Sequence, residues 1–395
     1  MDNKRYWIWL TMIFTTGSSR IWELLNQVSD PETAYQNIID GKFRLTDHEA
    51  ANLRKVSPES ADAVIDLCIK KNISIYTYEN REYPDILKTI YNPPAVIYCR
   101  GSISCFENSV SLTVVGTRHP SPYGLRAAGQ ISRELAECGF TIVSGFADGI
   151  DSAAHRGALE AGGKTAAVLG CGVDVDYPKA NSDIRDAVIE NGALISEFAP
   201  GTTPNGRNFP IRNRILSGIS LGVFVAEAPS GSGALITADY AAEQGRDVFC
   251  LPPHDIFDKK YSGVVKYLRD GAIPVFGYTD IMYEYYTTYS HKLSTLTPED
   301  EYSQGVTESA LYSKHASKKK PLSQGKPDKK TVSPDISGLS DIQRKIISAI
   351  GQRQMSVNDI QLETNIETSQ LLCEMTELEL LGAVRSLPGK MYELC

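Results

Sequence analysis

The chain has 395 residues, with 40 Lys and Arg against 48 Asp and Glu, for a formal net charge of −8. Hydrophobic residues make up 42% and charged residues 22%, the balance of a soluble globular protein, which excludes wholesale disorder, collagen and a membrane bundle. The acidic balance also excludes a surface coated in positive charge, so a nucleic-acid partner requires basic residues gathered locally.

At roughly 100–200 residues per domain, the length predicts two to four domains. None of the eight cysteines forms a C-x-x-C pair, and their spacing suits neither a zinc site nor a disulfide framework. A reducing cytoplasm is the expected setting, with no metal and no cofactor.

Residues 1–80 read as a small helical domain. The apolar run from Tyr6 to Phe14 falls short of the roughly 20 apolar residues of a membrane helix, and no small-residue cleavage site follows it. A packed helix is expected there, and no membrane partner. Trp7, Leu10 and Phe14 fall at helical spacing, as do Ile21, Leu24, Leu25 and Val28. Asp30-Pro31 and Ser57-Pro58-Glu59 mark further helix starts. Thr16-Gly17-Ser18-Ser19 has the layout of a helix-hairpin-helix turn, which can bind phosphate. With a single glycine, a hairpin that only packs is the preferred reading.

Residues 81–290 change rhythm. Short β-branched runs at 112–115, 140–143, 165–169, 193–195, 221–225 and 247–250 alternate with helical stretches at about 123–138, 150–161, 181–191, 210–218 and 233–244. This alternation predicts an α/β fold, a parallel sheet with helices on both faces. Ligands of such sheets bind beyond the carboxyl ends of the strands, so function belongs to the loops there.

Five such loops stand out. Gly116-Thr117-Arg118 opens toward a helix start at Ser121-Pro122, so backbone N–H groups, the helix dipole and a guanidinium converge on one anion site. In Ser144-Gly145-Phe146 the glycine lets backbone approach a ligand, and Phe146 either stacks on a base or packs beneath the loop. Asp151 and His155, four apart on one helix face, read as capping and packing, because no nucleophile or metal-ligand set accompanies them. In the third loop Lys179 and Asn181 suit phosphate and sugar oxygens, while Asp174 and Asp176 are expected to fix the loop through local hydrogen bonds. Arg207, Arg212 and Arg214 put three arginines into eight residues, interleaved with Asn208, Phe209 and Asn213. One arginine is expected to pair with Glu197 and another with ligand. Ser230-Gly231-Ser232-Gly233 is a phosphate cradle between strand and helix, without the Gly-Lys-Ser/Thr of a Walker A loop. Each signal alone is weak; at one sheet edge they predict a phosphate or nucleotide site.

Residues 291–337 read as a flexible basic linker, in which Lys318, Lys319, Lys320, Lys326, Lys329 and Lys330 sit among Ser, Gly, Pro and Gln. Residues 338–395 read as a winged helix, with helices at about 340–351, 356–363 and 368–380 and a ribbon turning at Pro388-Gly389. The would-be recognition helix carries Glu374, Glu377 and Glu379 and no Lys or Arg, and the segment has five Lys and Arg against eight Asp and Glu. A reader of duplex DNA meets phosphates with positive charge, so a protein-contact or structural module is expected.

In order and spacing, these motifs closely resemble the DprA/Smf family of DNA-processing proteins across roughly residues 80–290. The stretches that carry the resemblance are 115–124, 144–159, 170–181, 196–200, 209–217 and 230–245. More loosely, the first 80 residues resemble that family's SAM-like or helix-hairpin-helix domain, and the end its winged helix. The resemblance implies an extended Rossmann-like domain that binds single-stranded DNA in a positively charged pocket, with the pocket Arg and Lys at Arg118 and Lys179. It further implies a homodimer that protects incoming strands during natural transformation and helps load the RecA recombinase. Pro252-Pro253-His254 departs from the usual Pro-Gly at a strand-end turn.

The sheet and loops also resemble nucleoside-monophosphate phosphoribohydrolases, with Arg214 well placed before the glycine loop. In register, Ala234-Leu235-Ile236-Thr237 supplies no catalytic carboxylate, and Glu197 and Glu227 are the only evident substitutes. The expected function is therefore a non-enzymatic, single-stranded DNA-binding recombination mediator.

Overall fold

The computed structural model describes residues 3–295, except 29 and 108, and residues 340–394, except 352, 354, 365, 367, 381, 382 and 388–390. The two stretches belong to separate compact units. The lysines of the expected linker and the expected turn at Pro388-Gly389 lie outside the described residues.

Five helices come first: α1 (Lys4–Phe14), α2 (Arg20–Leu25), α3 (Pro31–Ile39), α4 (Asp47–Leu53) and α5 (Pro58–Lys70). They begin where side chains satisfy the free backbone N–H groups. Asp30 accepts from Thr33 N at 2.9 Å with Pro31 in the first turn, and Thr46 and Glu49 form a capping box. In the turn between α1 and α2, the Gly17 carbonyl accepts from Asn92 Nδ2 at 2.7 Å, and a Cβ on Gly17 would strike Ile211. The turn is therefore a packing hairpin.

A nine-stranded sheet follows. β1 (Ser74–Thr77) and β2 (Val96–Gly101) flank the short α6 (Asp85–Lys88) and pair antiparallel at one edge. The periodic part then runs as β3 (Val110–Val115), α7 (Pro122–Glu137), β4 (Phe140–Ser144), α8 (Ile150–Glu160), β5 (Thr165–Val168), α9 (Ser182–Glu190) and β6 (Gly192–Ser196). It continues through α10 (Asn208–Gly218), β7 (Gly222–Val225), α11 (Gly233–Glu243), β8 (Asp247–Cys250), α12 (Ser262–Arg269), β9 (Ile273–Pro274) and α13 (Tyr278–Tyr289). The strand order is β1-β2-β6-β5-β4-β3-β7-β8-β9, and β3 to β9 are all parallel. The expected α/β architecture is the observed one, extended by two antiparallel strands.

Alternate residues serve alternate faces. Leu112, Val114 and Phe224 pack under α7, α8 and α13, while Val115, Val223 and Val225 pack against α10, α11 and α12. The early helices share a core with the sheet: Trp7, Trp9 and Leu10 cluster with Tyr98, Phe146 and Leu194. Among the described residues, no helix is long and apolar enough to cross a membrane.

In the second unit, α14 (Asp341–Ile350), α15 (Val357–Thr364) and α16 (Thr368–Leu380) match the expected helices. β10 (Met355–Ser356), β11 (Val384–Leu387) and β12 (Met391–Leu394) form a sheet in the order β10-β12-β11 around a core of Ile346, Ile350, Leu371 and Leu378.

The three tryptophans, Trp7, Trp9 and Trp22, all lie in the early helices. Because these helices and the sheet share one core, tryptophan fluorescence and far-ultraviolet circular dichroism should report coincident unfolding of residues 1–295. An earlier fluorescence transition would mean that the helices are a separately stable domain.

Candidate functional site

Strand order reverses between β3 and β7, so the loops leaving their carboxyl ends part and open a crevice. A cleft of about 680 Å³ lies there.

The loop after β3 is held from behind. Thr117 N donates to the Glu227 carbonyl at 2.7 Å, and Ile150 N donates to the Thr117 carbonyl at 3.3 Å. Ser121 caps α7 and donates its own N–H and Oγ–H to the buried Glu227 carboxylate, at 3.0 and 2.6 Å. Between these anchors Gly116, Thr117 and Arg118 line the cleft. Arg118 is exposed, and its guanidinium carbon lies 5.7 Å from the Phe209 ring centroid.

On α10, the cleft-lining Arg212 is only 5% exposed. Its Nη1 donates to the carbonyls of Gly145, at 2.9 Å, and Val168, and its Nε donates to Asn213 Oδ1 at 3.2 Å. Its Nη2 has no hydrogen-bond partner among the described residues. The Arg212 guanidinium carbon lies 5.8 Å from the same Phe209 ring. Asp151 accepts from the N–H groups of Gly145 and Ala147, at 3.0 and 3.4 Å. Burial pushes the Asp151 carboxyl up, against the pull of Arg212 and the amides, and pulls Arg212 down to about 10. A Cβ on Gly145 would lie 2.7 Å from both Arg212 Nη1 and Asp151 Oδ2, so glycine is required there.

Asn213 Nδ2 donates to the Gly233 carbonyl at 3.1 Å and ties α10 to α11. Ser232 caps α11, and both Ser232 and Gly233 line the cleft, with open space beside Gly233. Ser230 instead bonds Ser262 through its N–H, at 2.9 Å, and its hydroxyl, and Gly231 takes a left-handed turn, φ 79°.

Other expected contact residues face protein. Phe146 is fully buried at φ 61°, so of its two readings packing beneath the loop is the one observed; its ring lies 5.5 Å from His155. Ser144 Oγ donates to the Val114 carbonyl at 2.6 Å. Asn181 donates to the carbonyls of Phe146 and Ala147, at 3.0 and 3.1 Å, and so braces that strained loop instead of presenting its amide to a ligand. Arg214 makes the expected pair with Glu197, at 2.7 Å, and neither of the two lines the cleft. Lys179 and Arg207 are exposed; Arg207 follows the cleft-lining Gly206, and Lys179 lies two residues beyond the cleft-lining Tyr177. Asp176 accepts the expected local bond, from Ser182 Oγ, whereas the partners of Asp174 are distant in sequence: it accepts from Gly201 N at 2.8 Å and pairs with Lys71 at 2.5 Å. Among the described residues no cluster of three or more His, Cys, Asp or Glu is placed to hold a metal.

Sequence reasoning passed over Asp151 and Tyr177 as cleft residues and did not foresee that Phe209 stands at the centre. Tyr177 lines the cleft with its ring 5.9 Å from Phe209. The available signal for Asp151 was its place in the first turn of α8, six residues after Gly145, where a carboxylate can fold back on the strand-end amides.

Fold and cleft together define a doubly wound α/β protein whose switch-point crevice offers cations, an aromatic ring and a helix N-terminus, the chemistry of a phosphate-gripping site. The chain belongs to the DNA recombination-mediator protein A family, whose sequence model matches residues 74–286; the DprA winged helix domain matches residues 330–390. It is 33% identical to Protein Smf of Synechocystis over 333 residues, 82% of this chain and 81% of that one. It is 37% identical to the DNA processing protein DprA of Bacillus subtilis over 215 residues, 54% and 72% of the two chains. The solved DprA of Streptococcus pneumoniae superposes with a TM-score of 0.62 at 31% identity, over 72% of this chain and 99% of that one. DNA processing protein A of Helicobacter pylori, a structure described for its single-stranded DNA binding mode, gives 0.50 at 28% identity, over 55% and 97%.

His155 is fully buried, hydrogen-bonded through Nδ1 to Thr165 Oγ1 at 2.7 Å, and burial holds its pKa down at about 3. The folded state therefore keeps it neutral, whereas the unfolded chain protonates it below about pH 6.5. The unfolded state binds the extra proton, so stability is lost as the pH is lowered. Urea denaturation should show the wild type losing about 2 kcal/mol more than His155→Gln between pH 7 and pH 5. Equal losses would mean that His155 titrates normally.

Proposed function

We propose that the protein binds single-stranded DNA in the switch-point cleft and acts as a recombination mediator without catalysing a reaction. The observation that carries this reading is Phe209, with the guanidinium groups of Arg118 and Arg212 at 5.7 and 5.8 Å from its ring. Cations beside an aromatic face grip phosphates and stack bases without reading base edges, which suits single strands. Membership of the family, and the binding described for the Helicobacter pylori relative, support it.

Exposed Arg118, Lys179 and Arg207 make no ion pair among the described residues and serve as phosphate contacts. Gly116, Thr117, Ser232 and Gly233 add backbone and hydroxyl donors, and Arg212 and Asn213 form the floor. Ser144, Gly145, Phe146, Asn181, Arg214, Ser230 and Gly231 shape the loops. Neither Glu197 nor Glu227 lines the cleft: one pairs with Arg214 and the other with Ser121 and Tyr261, which weighs against the phosphoribohydrolase reading.

Exposed Ile256, Phe257 and Phe276, on segments following β8 and β9, fit a face that a second copy covers, which supports a homodimer. Six buried free thiols suit the cytoplasm. In this setting the protein would shield incoming strands during natural transformation and pass them to RecA. The glutamates of α16 make the winged helix a protein-contact module in this scheme.

Fluorescence anisotropy should show oligo-dT bound far more tightly than duplex of equal length, with affinity falling steeply as salt rises. Arg118→Ala and Lys179→Ala should each weaken binding about tenfold while leaving thermal stability unchanged, because both side chains are exposed. Wild-type affinity in the double variant would place the strand elsewhere. Incubation with AMP should release no adenine; steady release, abolished by Glu197→Gln or Glu227→Gln, would make the protein a hydrolase.

A further inference from the structure

Glu227 is fully buried, yet no basic side chain pairs with it among the described residues. Its carboxylate is satisfied by three donors: Ser121 N at 3.0 Å, Ser121 Oγ at 2.6 Å and Tyr261 OH at 2.9 Å. Its carbonyl takes a fourth, Thr117 N at 2.7 Å. A carboxyl group buried among polar donors is costly unless every bond is kept, so these groups hold one another in a single arrangement. The fit is close: a Cβ on Gly124 would lie 2.3 Å from Glu227 Oε2.

Thr117 and Ser121 are the two ends of a short span, and Arg118 lies between them. A residue on the β7 side of the crevice thus sets the position of the cation on the β3 side. Tyr261, fully buried, supports Glu227 from the segment after β8, and its ring lies 5.6 Å from that of His254.

We infer that Glu227 is the positioning residue of the Arg118 loop: it holds the loop across the switch point through Thr117 and Ser121, and Tyr261 holds Glu227. Its effect on DNA rests on the cleft being the single-strand site. Its effect on the loop does not.

The full chain should carry Glu227→Ala, Glu227→Gln or Tyr261→Phe, each with and without Arg118→Ala. Oligo-dT affinity and amide hydrogen exchange of peptides spanning residues 116–121 are measured on all. Glu227→Ala should weaken binding about tenfold, as expected when a buried donor pair loses its acceptor. Glu227→Gln, which keeps one acceptor oxygen, and Tyr261→Phe should cost about threefold or less. With Arg118 already removed, each change should cost less than about twofold, because coupled residues are not additive. Exchange at residues 116–121 should quicken without DNA, while strand peptides stay protected. Penalties of equal size with and without Arg118, unchanged exchange at 116–121, or exchange rising across the whole sheet would each overturn the assignment. If the wild type binds no single strand, the functional reading falls and the exchange measurement alone decides the role of Glu227.

Discussion

The guanidinium of Arg212, buried at the carboxyl ends of β4 and β5, sets the terms for the loops around it. Burying a cation costs about several kcal/mol even after relaxation, so the surroundings must return that energy. They do so with the carbonyls of Gly145 and Val168, the Asn213 amide oxygen, the Phe209 ring and the charge of Asp151. Two of these partners, Phe209 and Asn213, lie on α10 itself, and the strand order of the sheet brings the others to it from the loop after β4, from β5 and from α8. Asp151 must in turn be held, which Gly145 and Ala147 do with their backbone N–H groups. That demand forces backbone and guanidinium into close approach, and with it a glycine at 145 and a left-handed conformation at Phe146. Asn181 then holds the strained loop by its two carbonyls.

The same chain of dependence reaches the early helices. Gly17 abuts Ile211, the neighbour of Arg212 on α10, and Asn92 fastens the Gly17 carbonyl. Residues remote from the cleft in sequence therefore brace the helix that carries its buried charge. A turn that resembles a phosphate-binding hairpin acts instead as a backstop.

Much of this was legible in the sequence, and the limits have physical causes. β3 to β8 and the helices between them announce themselves because buried parallel strands are apolar runs and covering helices carry their own periodicity. β1, β2 and β9 do not: β9 is two residues long, and β1 and β2 come before the regular alternation of strand and covering helix begins. The loops were recognisable because anion-binding turns need glycine, small hydroxyl residues and a helix start, all local features. Side-chain direction is not local. Arg212 and Arg214 are two residues apart on α10 and so point to different sides, as helical geometry requires. Which of them meets Glu197 and which meets the strand-end carbonyls depends on how α10 lies on the sheet. The positive φ of Phe146 gave no signal either, because the bonds that brace its loop come from Asn181 and Asp151, on other elements.

The buried carboxylates around the crevice each have a structural task. Cleavage of a glycosidic bond needs a carboxyl group that is free to exchange a proton with the substrate. Near this crevice Glu197 answers Arg214, Glu227 answers Ser121 and Tyr261, and Asp151 answers two backbone amides beside Arg212. Each is committed to holding a loop or balancing a buried cation. Removing any of them for chemistry would leave an unpaired buried group of opposite character, at a cost of about 1–3 kcal/mol or more. Arg118, Lys179 and Arg207 face solvent, and so does Asp148, which lines a small pocket together with Arg118 and Phe209. On this sheet, then, the three buried carboxylates serve the architecture, while the exposed Arg118, Lys179 and Arg207 are held by no ion pair among the described residues.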